Sequence, residues 1–106
     1  MGFFDFLKMP DINTGVEQFH STPNAVLLDV RTREEYAAGR IPGSKNIPLD
    51  QLRMTAQEVK NHETPLFVYC LSGARSRQAI PALQRMGYEN LTNIGGINGY
   101  RGTVER

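Results

Sequence analysis

The chain is poor in cysteine: Cys70 is the only one among 106 residues, and tryptophan is absent. A single thiol cannot form a disulfide within its own chain, which excludes a small secreted fold held together by disulfides. There is no Cys-x-x-Cys pair and no Cys/His cluster of the kind that binds zinc, and His20 and His62 stand alone. We therefore expect no metal site and no cofactor.

Long hydrophobic runs and a large net charge are also missing. No stretch approaches the roughly 18 consecutive apolar residues of a membrane-spanning helix, so we expect no membrane span. The formal net charge of +1 gives no argument for a nucleic-acid partner, and we expect none. With 40% apolar and 22% charged residues the composition is that of an ordinary globular domain, and a reducing cytoplasmic setting fits it.

The N-terminal segment MGFFDFLK is apolar but short. It lacks the length and flanks of a secretory signal peptide, and Phe6 stands where a myristoylation signal requires Ser or Thr. We interpret residues 1–10 as a tail that folds back onto the domain or frays, with contact to a membrane or a partner as the alternative. Residues 11–106 are then one domain, because a chain of this length builds a single hydrophobic core.

Apolar runs alternate with helix-like segments along the chain, which is typical of βαβ units. Residues 25–30 (AVLLDV) and 65–70 (PLFVYC) are apolar runs of the kind that strands buried on both faces show. Shorter extended pieces are expected at 44–49 and 90–94, and an edge strand followed by a small helix within 11–20. The sequence thus predicts an α/β fold with a central, mostly parallel, five-stranded sheet flanked by helices.

Three helices are expected between these strands. Thr32 and Glu35 have the spacing of a capping box for a helix over 32–39, and Gly39 suits its end. A polar helix is expected around residues 49–60. The third helix, over residues 75–86, ends at Gly87 and contains Pro81, which should bend or interrupt it because proline removes one helical hydrogen bond.

Cys70 lies where the second strong strand ends and this third helix begins. Backbone N–H groups in a tight turn before a helix form an anion-binding site, and Gly73 can take the positive φ that such a turn needs. The helix dipole and the Arg75 guanidinium both favour thiolate over thiol. Cys70 is therefore a candidate nucleophile, and a small buried core residue is the alternative interpretation.

Three segments together resemble the rhodanese family of sulfurtransferases. CLSGARS (70–76) is similar to the family's active-site loop, Cys-x-x-Gly-x-Arg-Ser. LLDVRTREEYAAGRIPGSKNIPL (27–49) resembles its Asp-x-Arg signature and the Ile-Pro-Gly run that follows. NIGGINGYRG (93–102) is similar to its glycine-rich closing segment, with Tyr100 where Trp is frequent. The resemblance covers most of residues 11–102 and implies a single rhodanese-like domain with a parallel sheet flanked by helices.

The resemblance implies a sulfurtransferase that carries a sulfane sulfur as a persulfide on Cys70. The donor would be a small molecule such as thiosulfate, and the acceptor cyanide, a small thiol or a protein cysteine. A noncatalytic interaction module on the same fold is one alternative. A phosphatase-like or arsenate-reducing enzyme is another, disfavoured because those enzymes need Cys-x5-Arg, whereas Arg75 here gives Cys-x4-Arg.

The resemblance also suggests roles for individual residues. Cys70 and Arg75 are the expected catalytic residues, with Arg75 attracting the anionic substrate or pairing with a nearby carboxylate. Ser76 is interpreted mainly as a cap of the following helix. The remaining substrate-binding candidates belong to the same loop: Leu71, Ser72, Gly73, Ala74 and Ser76.

Charged residues outside the loop are given supporting roles. Asp29 and Arg31 match the family's Asp-x-Arg and are expected to anchor the end of a strand beside the site. Arg33 and Arg77 either form a cationic rim for anionic donors or are solvated surface charges. Arg40 departs from the family, which often has histidine there. The single cysteine excludes a sulfur relay within one chain.

Overall fold

The structure is a computed structural model that describes residues 10–106. The predicted tail lies, except for Pro10, outside the described residues. The helices are α1 (Ile12–His20), α2 (Arg33–Ala38), α3 (Thr55–Glu58) and α4 (Ala74–Arg85), and 3₁₀ helices span Leu49–Met54 and Ile97–Gly99. The strands are β1 (Val26–Asp29), β2 (Ser44–Asn46), β3 (Leu66–Cys70) and β4 (Leu91–Gly96). No helix in this described part of the chain is long and apolar enough to cross a bilayer.

The four strands form one sheet in the order β2-β1-β3-β4, and every pair is parallel. The α/β fold with a parallel sheet flanked by helices is thereby confirmed. After β2 the chain crosses to the other side of β1, so the order of the strands reverses between β1 and β3. Ligands of open parallel sheets bind at the carboxyl ends of the strands beside such a reversal. Asp29 ends β1 and Cys70 ends β3 at this point.

The sheet separates two hydrophobic clusters because successive strand side chains point to opposite faces. On one face Leu66, Val68 and Cys70 pack with residues of α4 and of the 49–59 segment. On the other face Phe67 and Tyr69 pack with Ile12 and Val16 of α1. All five residues of β3 are buried. The carboxyl end of β3, where Cys70 lies, is therefore fixed by packing on both faces of the sheet.

The fifth strand is not found among residues 10–106, and the sheet has four strands. We expected an edge strand at the start of 11–20, but this segment is helical from Ile12 onward. The reason is local: the Asp11 carboxylate accepts the Asn13 N–H at 3.1 Å and so caps the helix at its first residue. Only Asp11 lies between Pro10 and α1, which is too short a segment for a strand.

The structure confirms most of the helix features that the sequence predicts. The Thr32–Glu35 capping box is present at the start of α2, and Gly39 ends that helix. Pro81 does not interrupt α4, which continues as one helix to Arg85. Pro81 and Arg77, whose carbonyl loses its helical partner, both lie on the exposed side of α4. The polar helix predicted for residues 49–60 is present as the first 3₁₀ helix followed by α3.

Candidate active site

Cys70 sits at the carboxyl end of β3 with its side chain almost fully buried. Two backbone features close the loop around it. Gly73 has φ 102° and is the N-cap of α4, a conformation that glycine adopts without strain. The Leu71 carbonyl accepts the Asn98 N–H at 3.1 Å, which ties the loop to the second 3₁₀ helix. Sγ is therefore enclosed by the turn that joins β3 to α4.

The surroundings of Sγ are rich in hydrogen-bond donors. The Gly73 N–H donates to Sγ at 3.0 Å and the Ser76 N–H at 3.4 Å. Burial raises the pKa of the Cys70 thiol, but the Ser76 N–H and hydroxyl, with the N–H groups of Gly73 and Ser72, outweigh it, so that the pKa lies below its ordinary value. A buried cysteine with a lowered pKa is a candidate nucleophile.

Two further donors of the loop are unused. The N–H groups of Ala74 and Arg75 open α4, where backbone donors have no partner within the helix. Neither donates to an acceptor within residues 10–106. These two N–H groups are free to donate hydrogen bonds to a negatively charged substituent on Sγ.

The loop residues differ in exposure. Leu71 is 44% exposed, and Ser72 and Ala74 are also exposed. Gly73 is buried, and Arg75 is partly buried. Leu71, Ser72 and Ala74 therefore form the outer surface of the loop.

Ser76 is fully buried beside Cys70 and is not a helix cap. The expected capping role is wrong because Gly73 closes the turn, so that α4 begins at Ala74 and Ser76 is its third residue. Its hydroxyl oxygen lies 3.6 Å from Sγ, 3.0 Å from the Gly73 carbonyl oxygen and 2.8 Å from Oδ1 of Asn93. Ser76 thus connects the sulfur to Asn93, in the interior of β4.

Arg75 pairs with Glu35 of α2. Nη1 and Nη2 lie 2.7 Å and 2.9 Å from the two carboxylate oxygens. Hydrogen bonding to Arg75 lowers the pKa of Glu35 to about 2, although burial opposes it. The carboxylate pairing that we gave as one role of Arg75 is thus present, and attraction of the substrate anion stays a prediction.

Asp29 and Arg31 form a buried ion pair at the carboxyl end of β1. Arg31 donates from Nε and Nη2 to the Asp29 carboxylate, with a shortest distance of 2.7 Å, and from Nη2 to the Gly39 carbonyl at 2.7 Å. Burial lowers the pKa of Arg31, but the Asp29 carboxylate outweighs burial and raises the pKa above its ordinary value. The pair therefore connects β1 to the end of α2. The same helix carries Glu35, the partner of Arg75.

The cationic residues outside the loop fall into two groups. Arg33 donates to the Asn46 carbonyl and the Gln51 side chain, and Arg40 pairs with Glu105 at 3.1 Å. Arg77 and Arg101 have no salt bridge with any residue of 10–106. Both line a cleft of about 210 Å³ that adjoins Ser72 and Gly73. The Asp11 carboxylate lines the same cleft and interacts electrostatically with Arg101, so the cleft carries two guanidinium groups and one carboxylate.

Two residues of the site were not identified as site residues from the sequence. Glu35 was accounted for as half of a capping box, and its partner lies 40 positions further along the chain. Asn93 lies inside a strand, where asparagine is depleted. This unusual placement is the sequence signal that could have marked it as a site residue. Its carboxamide oxygen accepts from Ser76 and from the Gly95 N–H at 3.0 Å.

Comparison with known proteins agrees with this geometry. The Rhodanese-like domain family model matches residues 14–103. The human thiosulfate:glutathione sulfurtransferase is 35% identical over 95 residues, which cover 77% of this chain and 81% of that protein. The uncharacterized protein YqhL of Bacillus subtilis is 34% identical over 82 residues, and the match spans 76% of this chain but 64% of YqhL.

A solved structure described as rhodanese with anions from E. coli superposes with a TM-score of 0.72 at 31% identity, and the match covers 77% of this chain and 98% of that one. The family model spans nearly all of the described residues and includes Cys70, Ser76 and the Asp29–Arg31 pair. The chain therefore belongs to the rhodanese-like domain family.

Proposed function

We propose that this protein is a sulfurtransferase that carries a sulfane sulfur as a persulfide on Cys70. The observation that carries the proposal is the ring of donors around a buried thiol: Gly73 and Ser76 donate to Sγ, and the pKa of Cys70 is lowered. The sulfurtransferase relatives support the same reaction class. The thiosulfate donor and the persulfide are the finer part of the proposal.

In the first half-reaction the Cys70 thiolate attacks the outer sulfur of thiosulfate. A new S–S bond forms between Sγ and that sulfur, the S–S bond of thiosulfate breaks, and its electron pair leaves with sulfite. The products are the Cys70 persulfide anion and sulfite, and no oxidant or reductant is consumed. This is the displacement at sulfur that thiol–disulfide exchange also uses.

The loop offers a reason why the intermediate would persist. The outer sulfur of a persulfide carries a negative charge, and a charge-assisted hydrogen bond from a backbone N–H stabilises such a charge. The unused N–H groups of Ala74 and Arg75 belong to the same turn as the donors to Sγ. We assign Ala74 and Arg75 to that role, with Leu71, Ser72 and Gly73 forming the rest of the substrate-binding loop.

In the second half-reaction an acceptor takes the outer sulfur and the Cys70 thiolate leaves. Cyanide gives thiocyanate and a small thiolate gives a persulfide of its own. The name of the human relative, thiosulfate:glutathione sulfurtransferase, gives such a small thiol as its acceptor. A low pKa of Cys70 assists this step, because a thiol of lower pKa is a better leaving group. A protein cysteine is the macromolecular counterpart of the same acceptor.

Arg77 and Arg101 are proposed to concentrate the anionic donor near the loop. Both guanidinium groups line the cleft beside Ser72 and Gly73 and lack salt bridges within the described residues. Two guanidinium groups against the single Asp11 carboxylate leave the cleft with a net positive charge, which raises the local concentration of an anion and its association rate. The reducing cytoplasm is the proposed setting, because it supplies low-molecular-weight thiols and keeps a lone thiol reduced.

A single-turnover measurement of sulfite tests the proposal. Reduced protein mixed with excess thiosulfate, in the absence of an acceptor, should release one sulfite per Cys70 and then stop. Addition of cyanide should restart release and produce thiocyanate in equal amount. Wild-type protein that releases no sulfite under these conditions would contradict the proposal, and Cys70→Ser is the matched control that must release none.

A further inference from the structure

The Ser76 hydroxyl has one proton and three neighbours that compete for it. Oδ1 of Asn93 is nearest at 2.8 Å, the Gly73 carbonyl oxygen follows at 3.0 Å, and Sγ of Cys70 is furthest at 3.6 Å. A hydroxyl donates one hydrogen bond at a time, but its oxygen can accept two. The direction in which this proton points therefore decides whether Ser76 accepts from Cys70 or donates to it.

The orientation of Asn93 is determined by its second contact. The Gly95 N–H donates to Oδ1 of Asn93 at 3.0 Å. A rotated carboxamide would direct its NH₂ group at that N–H, which would leave two donors facing each other. Oδ1 must therefore face both Gly95 and Ser76, and it can only accept from the hydroxyl. The Gly73 carbonyl is likewise an acceptor only.

We propose that Asn93 is a positioning residue that acts through Ser76: its carboxamide oxygen holds the hydroxyl proton away from Sγ and so opposes ionisation of the Cys70 thiol. With the proton on the Asn93 side, the Ser76 oxygen accepts from the Cys70 S–H. When the thiol ionises, Ser76 must rotate its proton towards Sγ and give up the bond to Asn93. Asn93 thus opposes the backbone donors, which favour the thiolate.

This opposition between Asn93 and the backbone donors is useful in the proposed sulfur transfer. The inference rests on the proposed function only for that benefit, and its geometry stands without it. A thiolate that is strongly stabilised leaves well but attacks poorly, because nucleophilicity falls with pKa. By opposing ionisation, Asn93 raises the pKa of Cys70, which makes the thiolate a stronger nucleophile at a small cost in its quality as a leaving group. Asn93 sets that balance from outside the loop, within β4.

The charged groups near Cys70 are the same in every variant of the test. They include Asp11, Arg77 and Arg101 of the adjoining cleft, where neither arginine has a salt bridge within residues 10–106. Arg75, on the first turn of α4, is bound to Glu35 of α2. Asp29 and Arg31 pair with each other at the end of β1. The strand that carries Asn93 contributes no charged residue between Leu91 and Gly96. A shift on replacement of Asn93 therefore reports on the hydroxyl rather than on a change of charge.

A double-mutant cycle tests the inference. The measured quantity is the rate at which iodoacetamide alkylates Cys70 as a function of pH, and the experiment needs no sulfur donor. Asn93→Ala should lower the midpoint of the alkylation profile by about half a pH unit, the size expected for one hydrogen bond. Ser76→Ala should raise it. The double variant should match Ser76→Ala, because without the hydroxyl Asn93 has nothing to act on.

The opposite outcome is as clear. If Asn93 merely supports the bend at Gly95, its replacement should shift the midpoint equally in both backgrounds, or raise it, and the inference fails. Asn93→Leu, which keeps the approximate shape and has no acceptor, repeats the measurement if the alanine variant does not fold. Sulfite release by the same variants is scored separately, so failure of sulfur transfer and failure of this inference are distinguishable.

Discussion

The Arg75 guanidinium lies in a two-point contact with the Glu35 carboxylate, with N–O distances of 2.7 Å and 2.9 Å, and this contact joins the cysteine loop to α2. Glu35 also accepts the Thr32 N–H at 2.9 Å in the capping box of that helix. One carboxylate therefore holds both the start of α2 and the first turn of α4. The charge of Arg75 is shared with a partner and does not face Sγ alone.

Glu35→Gln should remove an acid-sensitive part of the stability. A carboxyl whose pKa falls to about 2 on folding, from an ordinary 4.5, stabilises the native state above pH 4.5 and loses that contribution as the pH falls towards 2. Gln keeps the capping box but not the charge, so the variant should be less stable by about 1 kcal/mol at neutral pH. Urea unfolding between pH 7 and 2 measures this difference.

The difference between wild type and Glu35→Gln should shrink on acidification and vanish near pH 2, where the native-state carboxyl protonates. Lys45→Gln is the control, because Lys45 belongs to an exposed ion pair of 3.8 Å with Glu58, far weaker in geometry. A Glu35→Gln deficit that stays constant with pH would refute the assignment of the ion pair.

Gly96→Ala should displace the cysteine loop. A Cβ at this position would lie 2.2 Å from the Leu71 carbonyl oxygen and 2.6 Å from the Ser72 Cα, both backbone atoms that cannot move without the loop. We expect a loss of about 1–3 kcal/mol in the free energy of unfolding and slower alkylation of Cys70. Chemical denaturation and iodoacetamide kinetics provide the two readouts.

Gly99→Ala is the matched control for that variant. Its added Cβ would meet only Cγ2 of Ile12, at 3.7 Å, which is an ordinary contact. The stability should change by less than about 0.5 kcal/mol and alkylation should be unaffected. Equal effects of the two substitutions would show that glycine flexibility, rather than the close approach to Leu71, matters in this segment.

Arg77→Ala should slow the reaction with thiosulfate but not alkylation by the neutral iodoacetamide. Loss of one cation beside the loop should reduce kcat/KM for thiosulfate about two- to five-fold at low ionic strength, with the difference fading in high salt. Arg85→Ala removes the same charge from the same helix about 12 Å further along its axis. An Arg85→Ala effect as large as that of Arg77→Ala would contradict a local role of the cleft.

Local signals in the sequence predicted most of what lies near Cys70. The apolar run 65–70 indicated β3, Thr32 with Glu35 indicated the start of α2, and Gly73 indicated the turn. Each of these features is determined by residues within a few positions of one another, so a short stretch of sequence is enough to predict it. The resemblance to the rhodanese family rested on the same segments and was confirmed by the family match over 14–103.

What could not be predicted depends on contacts between distant segments. Glu35 satisfies a local capping pattern completely, so nothing in the sequence marks it as the partner of Arg75. Asn93 reaches Ser76 only because β4 pairs with β3, with a register shift after Val68. The expected fifth strand, which is not found among residues 10–106, is a different failure: Asp11 is an N-cap signal, and the helix that it begins occupies the segment where we expected the strand.

The central claim is the persulfide on Cys70, and intact mass tests it most directly. The reduced protein should gain the mass of one sulfur atom after thiosulfate and return to its starting mass after cyanide, while Cys70→Ser should show neither change. A wild-type protein that gains no sulfur from thiosulfate, nor from a second persulfide donor, would contradict the account. The rhodanese-like domain would then have to serve as a binding module, with Cys70 a buried residue of its core.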